Sequence, residues 1–312
     1  MNKTIAVGTD VGGSHISCSA VHLQQHVILP GTHKASKLDN QWPACDIIEV
    51  WANTLGEALG QLRAGEVAGI GFAMPGPFDY VNGIALFKGN NKKYDALYGL
   101  NVANLLQQAL QVPDDFSVRF INDATAFALG EDFMGAAQGT TRSLSITLGT
   151  GFGSAFLNNS LPVVTGDTVP ETGAVWHLPY KNGNADDYFS TRGLLGRYEA
   201  ATGVALPGVK ELAGLALTDE VASALFTDFG ECLSKFLGPW MKGFDAEILV
   251  IGGNISHAYS LFGPALEQSF QQQQVQARVS VAQWHEEAAV IGSALLADDA
   301  FYQKLLPSIA YM

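Results

Sequence analysis

Three glycine-rich turns and one Asn-Asp pair hold the residues of this chain whose types and spacing could do chemistry. The first turn is Asp10-Val11-Gly12-Gly13-Ser14, and the second is Leu148-Gly149-Thr150-Gly151-Phe152-Gly153-Ser154. Each follows an apolar run, ends in Gly-Ser and leads into a second β-type run. Bare backbone at such a turn lets a phosphate approach N–H groups that no Cβ shields. Gly12, Gly13 and Ser14 could then offer amides to a terminal phosphate, and Thr150 and Gly151 could reach the middle phosphates. Asp10 could hold Mg²⁺ directly or through water, since magnesium takes carboxylate and phosphate oxygens. The plain alternative is a pair of β-hairpins turning on glycine, with Asp10 bonding its own turn.

A third junction, Gly252-Gly253-Asn254, closes another apolar run before a helical pattern, where a base or ribose could lie against bare backbone. Asn122-Asp123 also sits where a strand hands over to a helix. Asp123 could act as general base toward an attacking hydroxyl. It could equally be an ordinary helix N-cap. Glu171, His177, Asp186 and Asp187 lie in a polar stretch, 167–192, of the kind that often binds substrate.

The elements that must position these groups read as α/β. Strand patterns cover 5–10, 16–21 and 27–29, then a helical stripe runs through Ile48, Trp51, Leu55, Leu59 and Leu62. The apolar run 67–74 stops at Pro75-Gly76-Pro77, as a buried strand should. A helix over 101–111, a strand over 118–121 and a helix over 124–133 follow. Strands at 144–148, 155–157 and 161–164 repeat the opening meander. Helical patterns over 219–243, a strand at 248–251, a further helix, a strand at 279–281 and a last helix complete the chain. Two α/β lobes are expected, 1–122 and 123–312, with the last helix, about 288–300, packing back onto the first. A cleft at the junction of the lobes is the expected place for a small-molecule site.

Composition limits the function classes. With 47% hydrophobic and 15% charged residues the chain is a folded one, and 312 residues suffice for two cores. A net charge of −13 disfavours nucleic acid and anionic lipid as partners. No run approaches the roughly 18 apolar residues of a membrane helix. The start of the chain shows no signal-peptide pattern. Cys18, Cys45 and Cys232 are widely spaced, which predicts free thiols in a cytoplasmic protein and no structural zinc site.

Taken in order, Asp10-Val11-Gly12-Gly13-Ser14, Pro75-Gly76-Pro77, Asn122-Asp123-Ala124, Leu148-Gly149-Thr150-Gly151-Phe152-Gly153, Gly252-Gly253-Asn254 and Ile291-Gly292-Ser293-Ala294 resemble the ROK family of sugar kinases. That family belongs to the hexokinase/actin-like ATPase group, with a two-lobed ribonuclease H-like fold of mixed sheets and flanking helices. The stretch 71–80 is most similar to the glucokinase branch. The resemblance implies an ATP- and Mg²⁺-dependent kinase acting on the 6-hydroxyl of glucose, commonly as a homodimer. It makes Asp123 the base and assigns sugar contacts to Asn122, to Gly76, to Asn90 or Asn91, and to Glu171. Other sugars (mannose, fructose, allose, an N-acetylhexosamine) and a non-catalytic sugar or nucleotide sensor are the alternatives.

The chain departs from the family pattern in two places. Ala174 follows Gly173 where the family has His, so His177 is the expected source of an imidazole. The family's Cys-rich zinc motif is replaced by Asn182-Gly183-Asn184-Ala185-Asp186-Asp187-Tyr188, which makes Asp186 the counterpart of a second sugar-binding acid. The family's repressors carry an N-terminal winged helix. This chain opens on the phosphate strand, and a repressor is not expected.

Overall fold

The computed structural model describes residues 3–88 and 93–312. The chain forms two compact units, Met1–Met134 with Glu286–Met312, and Gly135–His285. In the first unit β1 (Ile5–Val11), β2 (His15–His22) and β3 (Val27–Ile28) form the antiparallel meander, and β4 (Lys34–Lys37) also pairs with β2. Next come α1 (Ala44–Leu59), β5 (Val67–Met74), the small hairpin β6 (Phe78–Asp79) and β7 (Ile84–Ala85), α2 (Val102–Leu110), β8 (Ser117–Asn122) and α3 (Asp123–Met134). The main sheet has the order β3-β2-β1-β5-β8, with β5 parallel to both β1 and β8. Strand β5 is an apolar run because both of its faces are covered. Helix α1 buries Ile48, Trp51 and Leu55 on one stripe. Trp51 lies edge-on to Tyr94 at 5.5 Å, and Phe72 stacks on Phe120 at 5.2 Å.

The second unit repeats the plan. Strands β9 (Arg142–Leu148), β10 (Phe152–Asn158) and β11 (Leu161–Pro162) form its meander. A hairpin of β12 (Pro179–Tyr180) and β13 (Gly183–Asn184) leads into α4 (Ala185–Phe189), α5 (Thr191–Thr202), α6 (Val209–Leu215) and α7 (Glu220–Phe244). Strand β14 (Ile248–Gly252), α8 (Tyr259–Gln272) and β15 (Arg278–Val281) complete it. The sheet order is β11-β10-β9-β14-β15, with β14 parallel to β9 and β15. Its core holds Leu144, Ile146, Phe152, Phe189, Phe229 and Phe262.

The chain then returns to the first unit as α9 (Glu286–Ala294) and α10 (Asp299–Ile309). Helix α9 lies so close to the first sheet that a Cβ at Gly8 or Gly71 would sit 1.8 Å from the carbonyl oxygen of Val290 or Ser293. No side chain fits there.

The observed elements differ from the sequence reading in instructive places. The first unit runs on past residue 122 through α3, because α3 packs on α9. The stretch read as irregular over 167–192 contains α4 and the start of α5, each begun by a polar cap too local to register as periodicity. Asn184 forms a capping box with Asp187, and the Ser190 hydroxyl accepts from the Gly193 N–H. Strand β10 starts at Phe152, three residues before the expected 155. Strand β4 and helices α6 and α10 lie outside the sequence reading; β4 is a four-residue strand defined by its pairing with β2. Among the described residues no helix is long and apolar enough to cross a membrane.

Candidate active site

In the first unit Asp10 stands near the end of β1, between Ser17 of β2 and Ala73 of β5 in register. The turn beyond it is tied down by its carbonyls. The Tyr94 hydroxyl donates to the Gly12 oxygen at 2.6 Å, and the Asn40 amide donates to the Gly13 oxygen. The Gly12 N–H is spent on His15 at 3.0 Å. Among the described residues the N–H groups of Gly13 and Ser14 have no acceptor. The turn is therefore held from its carbonyl side while two amides stay available, which is the arrangement an anion cradle needs.

Strand β8 ends at Asn122, beside Met74 of β5, and α3 opens at Asp123. The cap is made by Asn122, whose Oδ1 accepts from the Thr125 N–H at 3.2 Å. Its Nδ2 donates to Asp123 Oδ1 at 3.0 Å, and the Ala124 N–H donates to the same oxygen at 2.8 Å. Asp123 Oδ2 has no protein donor among the described residues. Burial pushes the Asp123 carboxyl up, partly offset by the Ala124 amide and the Lys93 charge. Asp10 is pushed up to about 7, first by burial and then by the negative charges of Asp123 and Glu286.

Gly76 precedes a cis proline in the turn after β5, and a Cβ there would touch only the Tyr80 hydroxyl, at 3.4 Å. Tyr80 donates to the Met74 oxygen at 3.1 Å and lies 3.5 Å from Asn122 Nδ2, so it ties the Pro-Gly-Pro turn to the Asn-Asp pair. Asn90 and Asn91 lie outside the described residues.

In the second unit Thr150 and Gly151 form the exposed tip between β9 and β10. The Gly149 N–H donates to the Gly151 oxygen at 3.0 Å, and Thr191 of α5 donates to the Gly149 oxygen at 2.8 Å. Gly253 takes φ +78°, and a Cβ there would sit 2.4 Å from the Leu148 oxygen, so the Gly252-Gly253-Asn254 junction packs directly on the base of this turn. Two of the sequence-predicted nucleotide loops thus meet.

Glu171 is exposed on a short turn that ends at Gly173. That segment is stitched to β10 by Ser154, whose hydroxyl donates to the Gly173 oxygen and accepts from the Val175 N–H, both at 3.0 Å. His177 is half-buried, edge-on to the exposed Trp176 at 5.3 Å. The Trp176 oxygen accepts from the Asp186 N–H at 2.9 Å, which brings Asp186 to this segment.

Asp186 has a structural task that the sequence does not announce. Its Oδ1 accepts from the Phe152 N–H at 2.6 Å, and its Oδ2 pairs with Arg192 at 3.1 Å. These contacts tie it to the Thr150-Gly151 turn. Arg192 also pairs with Asp187 at 3.0 Å.

Where the family's zinc segment was expected to be replaced, a polar cluster holds the hairpin. Lys181 donates to the Tyr188 hydroxyl at 2.7 Å, Tyr188 donates to Asp228 at 2.6 Å, and Arg197 pairs with Asp228 at 2.9 Å. Among the described residues no group of three or more His, Cys, Asp or Glu could hold a metal ion. Tyr94, Tyr80, Asn40 and Ser154 act through contacts between distant parts of the chain, and no local signal marks them.

The ROK family profile matches residues 6–300. This chain belongs to the ROK family. A glucokinase of Thermotoga maritima is 29% identical over 294 residues, covering 86% of this chain and 87% of that protein. An N-acetyl-D-glucosamine kinase of Pectobacterium carotovorum is 26% identical over 274 residues, covering 80% of this chain and 84% of that protein. A solved ROK glucokinase from Streptomyces griseus, in complex with glucose and AMPPNP, superposes with a TM-score of 0.74 at 23% identity, covering 94% of this chain and 99% of that one. This ROK protein thus has the α/β actin-like ATPase fold expected from its motifs.

Proposed function

We propose that this ROK protein is an ATP-dependent hexose kinase that phosphorylates the 6-hydroxyl of glucose. The observation that carries the reading is Asp123: its Oδ1 is fixed by two donors while its Oδ2 has no protein donor among the described residues. A carboxylate oriented through one oxygen and open at the other can take the proton of an attacking hydroxyl. Burial raises its basicity, which brings proton transfer closer to balance near neutral pH. Such a base contributes about 10²–10⁴-fold. The remaining acceleration comes from positioning and from amides aimed at the phosphoryl oxygens.

In the first unit, Gly12, Gly13 and Ser14 receive the terminal phosphate, while Asn122, Gly76 and Asn90 are the sugar-side candidates. In the second unit, Thr150 and Gly151 take the middle phosphates, and Gly252, Gly253 and Asn254 take the adenosine. Glu171 and His177 are that unit's sugar-side candidates, and Asp186 keeps the phosphate turn in shape. Asp10 is the residue that would hold Mg²⁺: its carboxylate is the kind of oxygen donor magnesium takes, and the ion would neutralise charge on the phosphate oxygens.

The P. carotovorum relative favours N-acetylglucosamine as the second substrate to try. The test is ADP release from purified protein with Mg-ATP against single hexoses and N-acetylhexosamines. Turnover with glucose well above the others supports the reading, and turnover with N-acetylglucosamine moves the assignment to that sugar. Nucleotide or sugar binding without any turnover would make the protein a sensor.

A further inference from the structure

Lys93 has no place in the reading above, yet it stands beside the first phosphate turn. A Cβ on Gly13 would lie 3.5 Å from Lys93 Cε and 3.8 Å from its Nζ. The side chain does not reach there by chance, because the next residue is an anchor. Tyr94 is fully buried, with ring contacts to Trp51 at 5.5 Å and Phe87 at 5.7 Å. Its N–H donates to the Asn40 oxygen at 3.0 Å, and its hydroxyl donates to the Gly12 oxygen. Asn40 in turn bonds the Gly13 oxygen. The chain at 93–94 is therefore bolted to the same turn whose Gly13 and Ser14 amides have no acceptor.

Among the described residues the Lys93 ammonium makes no hydrogen bond and no salt bridge. It is also the positive charge felt at Asp123. The local balance explains why a cation is needed there. Asp10 feels the negative charges of both Asp123 and Glu286. Apart from a cation held at Asp10, a phosphate chain brought to the Gly13 turn would meet that negative charge with two neutral amides. An ammonium that makes no salt bridge among the described residues, half-buried beside that turn, supplies positive charge there.

We propose that Lys93 binds the terminal phosphoryl group of the nucleoside triphosphate at the Gly12-Gly13-Ser14 turn. The proposal rests on the kinase reading. The lysine binds the group before transfer and follows its charge as transfer proceeds, which adds to affinity for the triphosphate and to turnover together. A diphosphate lacks the group that Lys93 touches.

Calorimetric titration of wild type, K93Q and K93R with the β,γ-imido analogue of ATP and, separately, with ADP tests this. Among the described residues Lys93 makes no hydrogen bond that the substitutions would remove, so folding is not at stake. A lost charge-assisted bond predicts that K93Q binds the imido analogue about tenfold or more weakly. ADP affinity should change by less than about twofold, and K93R should recover most of the loss, since it keeps the charge. Equal losses for both nucleotides, or no loss for either, overturn the phosphate contact. So does a change confined to kcat with triphosphate binding intact, which would make Lys93 a partner of Asp123 alone. If wild type binds neither nucleotide, the kinase reading fails first and this proposal with it.

Discussion

Asn122 and Asp123 divide one task between them. Asn122 Oδ1 caps α3 through the Thr125 N–H, and its Nδ2 holds Asp123 Oδ1 at 3.0 Å, so the carboxylate is spared from capping and oriented by its neighbour. Asp123→Asn should therefore keep the fold and sugar binding while kcat falls by about 10²–10⁴. Steady-state kinetics with sugar calorimetry on the same variant checks it; near-normal kcat would remove Asp123 as the base.

Asn122→Ala should behave differently. It loses the cap bond, at about 1 kcal/mol of stability, and frees Asp123 to turn. The expected result is a lower melting temperature together with a lower kcat, read by denaturation and kinetics side by side. Stability loss alone, with kcat unchanged, would show that Asp123 orients itself.

Asp10 links stability to pH in the metal-free protein. Its folded-state carboxyl is pushed up to about 7 from an ordinary 3.8, so the folded form takes up its proton more readily than the unfolded chain. The contribution is fully present below about 3.8 and is lost as pH rises through about 7. In chelator-treated protein, the melting temperature of wild type should fall relative to Asp10→Asn between pH 5 and pH 8. A constant difference across that range would mean the carboxyl titrates at its ordinary value.

Asp186→Ala separates brace from sugar ligand. It removes the acceptor of the buried Phe152 N–H, a cost of about 1–3 kcal/mol. The lost pairing with the well-exposed Arg192 adds little. KM for ATP should rise more than KM for the sugar, because the turn that loosens is Thr150-Gly151. A rise in the sugar KM alone would return Asp186 to the sugar site.

Gly71→Ala probes the seating of α9 on the first sheet. The new Cβ would collide with the Ser293 backbone oxygen, and neither the strand nor the helix can yield a full ångström cheaply. Soluble, active protein with a wild-type melting temperature would contradict the packing described here. The expected outcome is loss of more than about 3 kcal/mol or no folded protein.

The alternation of apolar runs with glycine turns was enough to place the α/β class, both meanders and the three glycine-rich turns, because strand period and turn chemistry are local properties. The ordered motifs placed the family for the same reason. Asp123 was legible as a candidate, but its role against capping was not, since one Asp at a helix start fits both. That choice depends on whether Asn122 or Asp123 supplies the oxygen that accepts from the Thr125 N–H.

Tertiary structure decided the rest. The family resemblance implies a sugar ligand at Asp186, and only the fold shows its carboxylate accepting from the Phe152 N–H. Helices α4 and α5 begin at caps that carry no periodicity, so their start became visible only with their hydrogen bonds. Residues 286–312 join a unit that begins at the other end of the chain, because α9 fits the bare backbone of Gly8 and Gly71. Lys93 and Tyr94 look unremarkable in sequence. Long-range contacts bring them to Gly12 and Gly13, and contact between residues some eighty positions apart is written in shape and packing, not in local pattern.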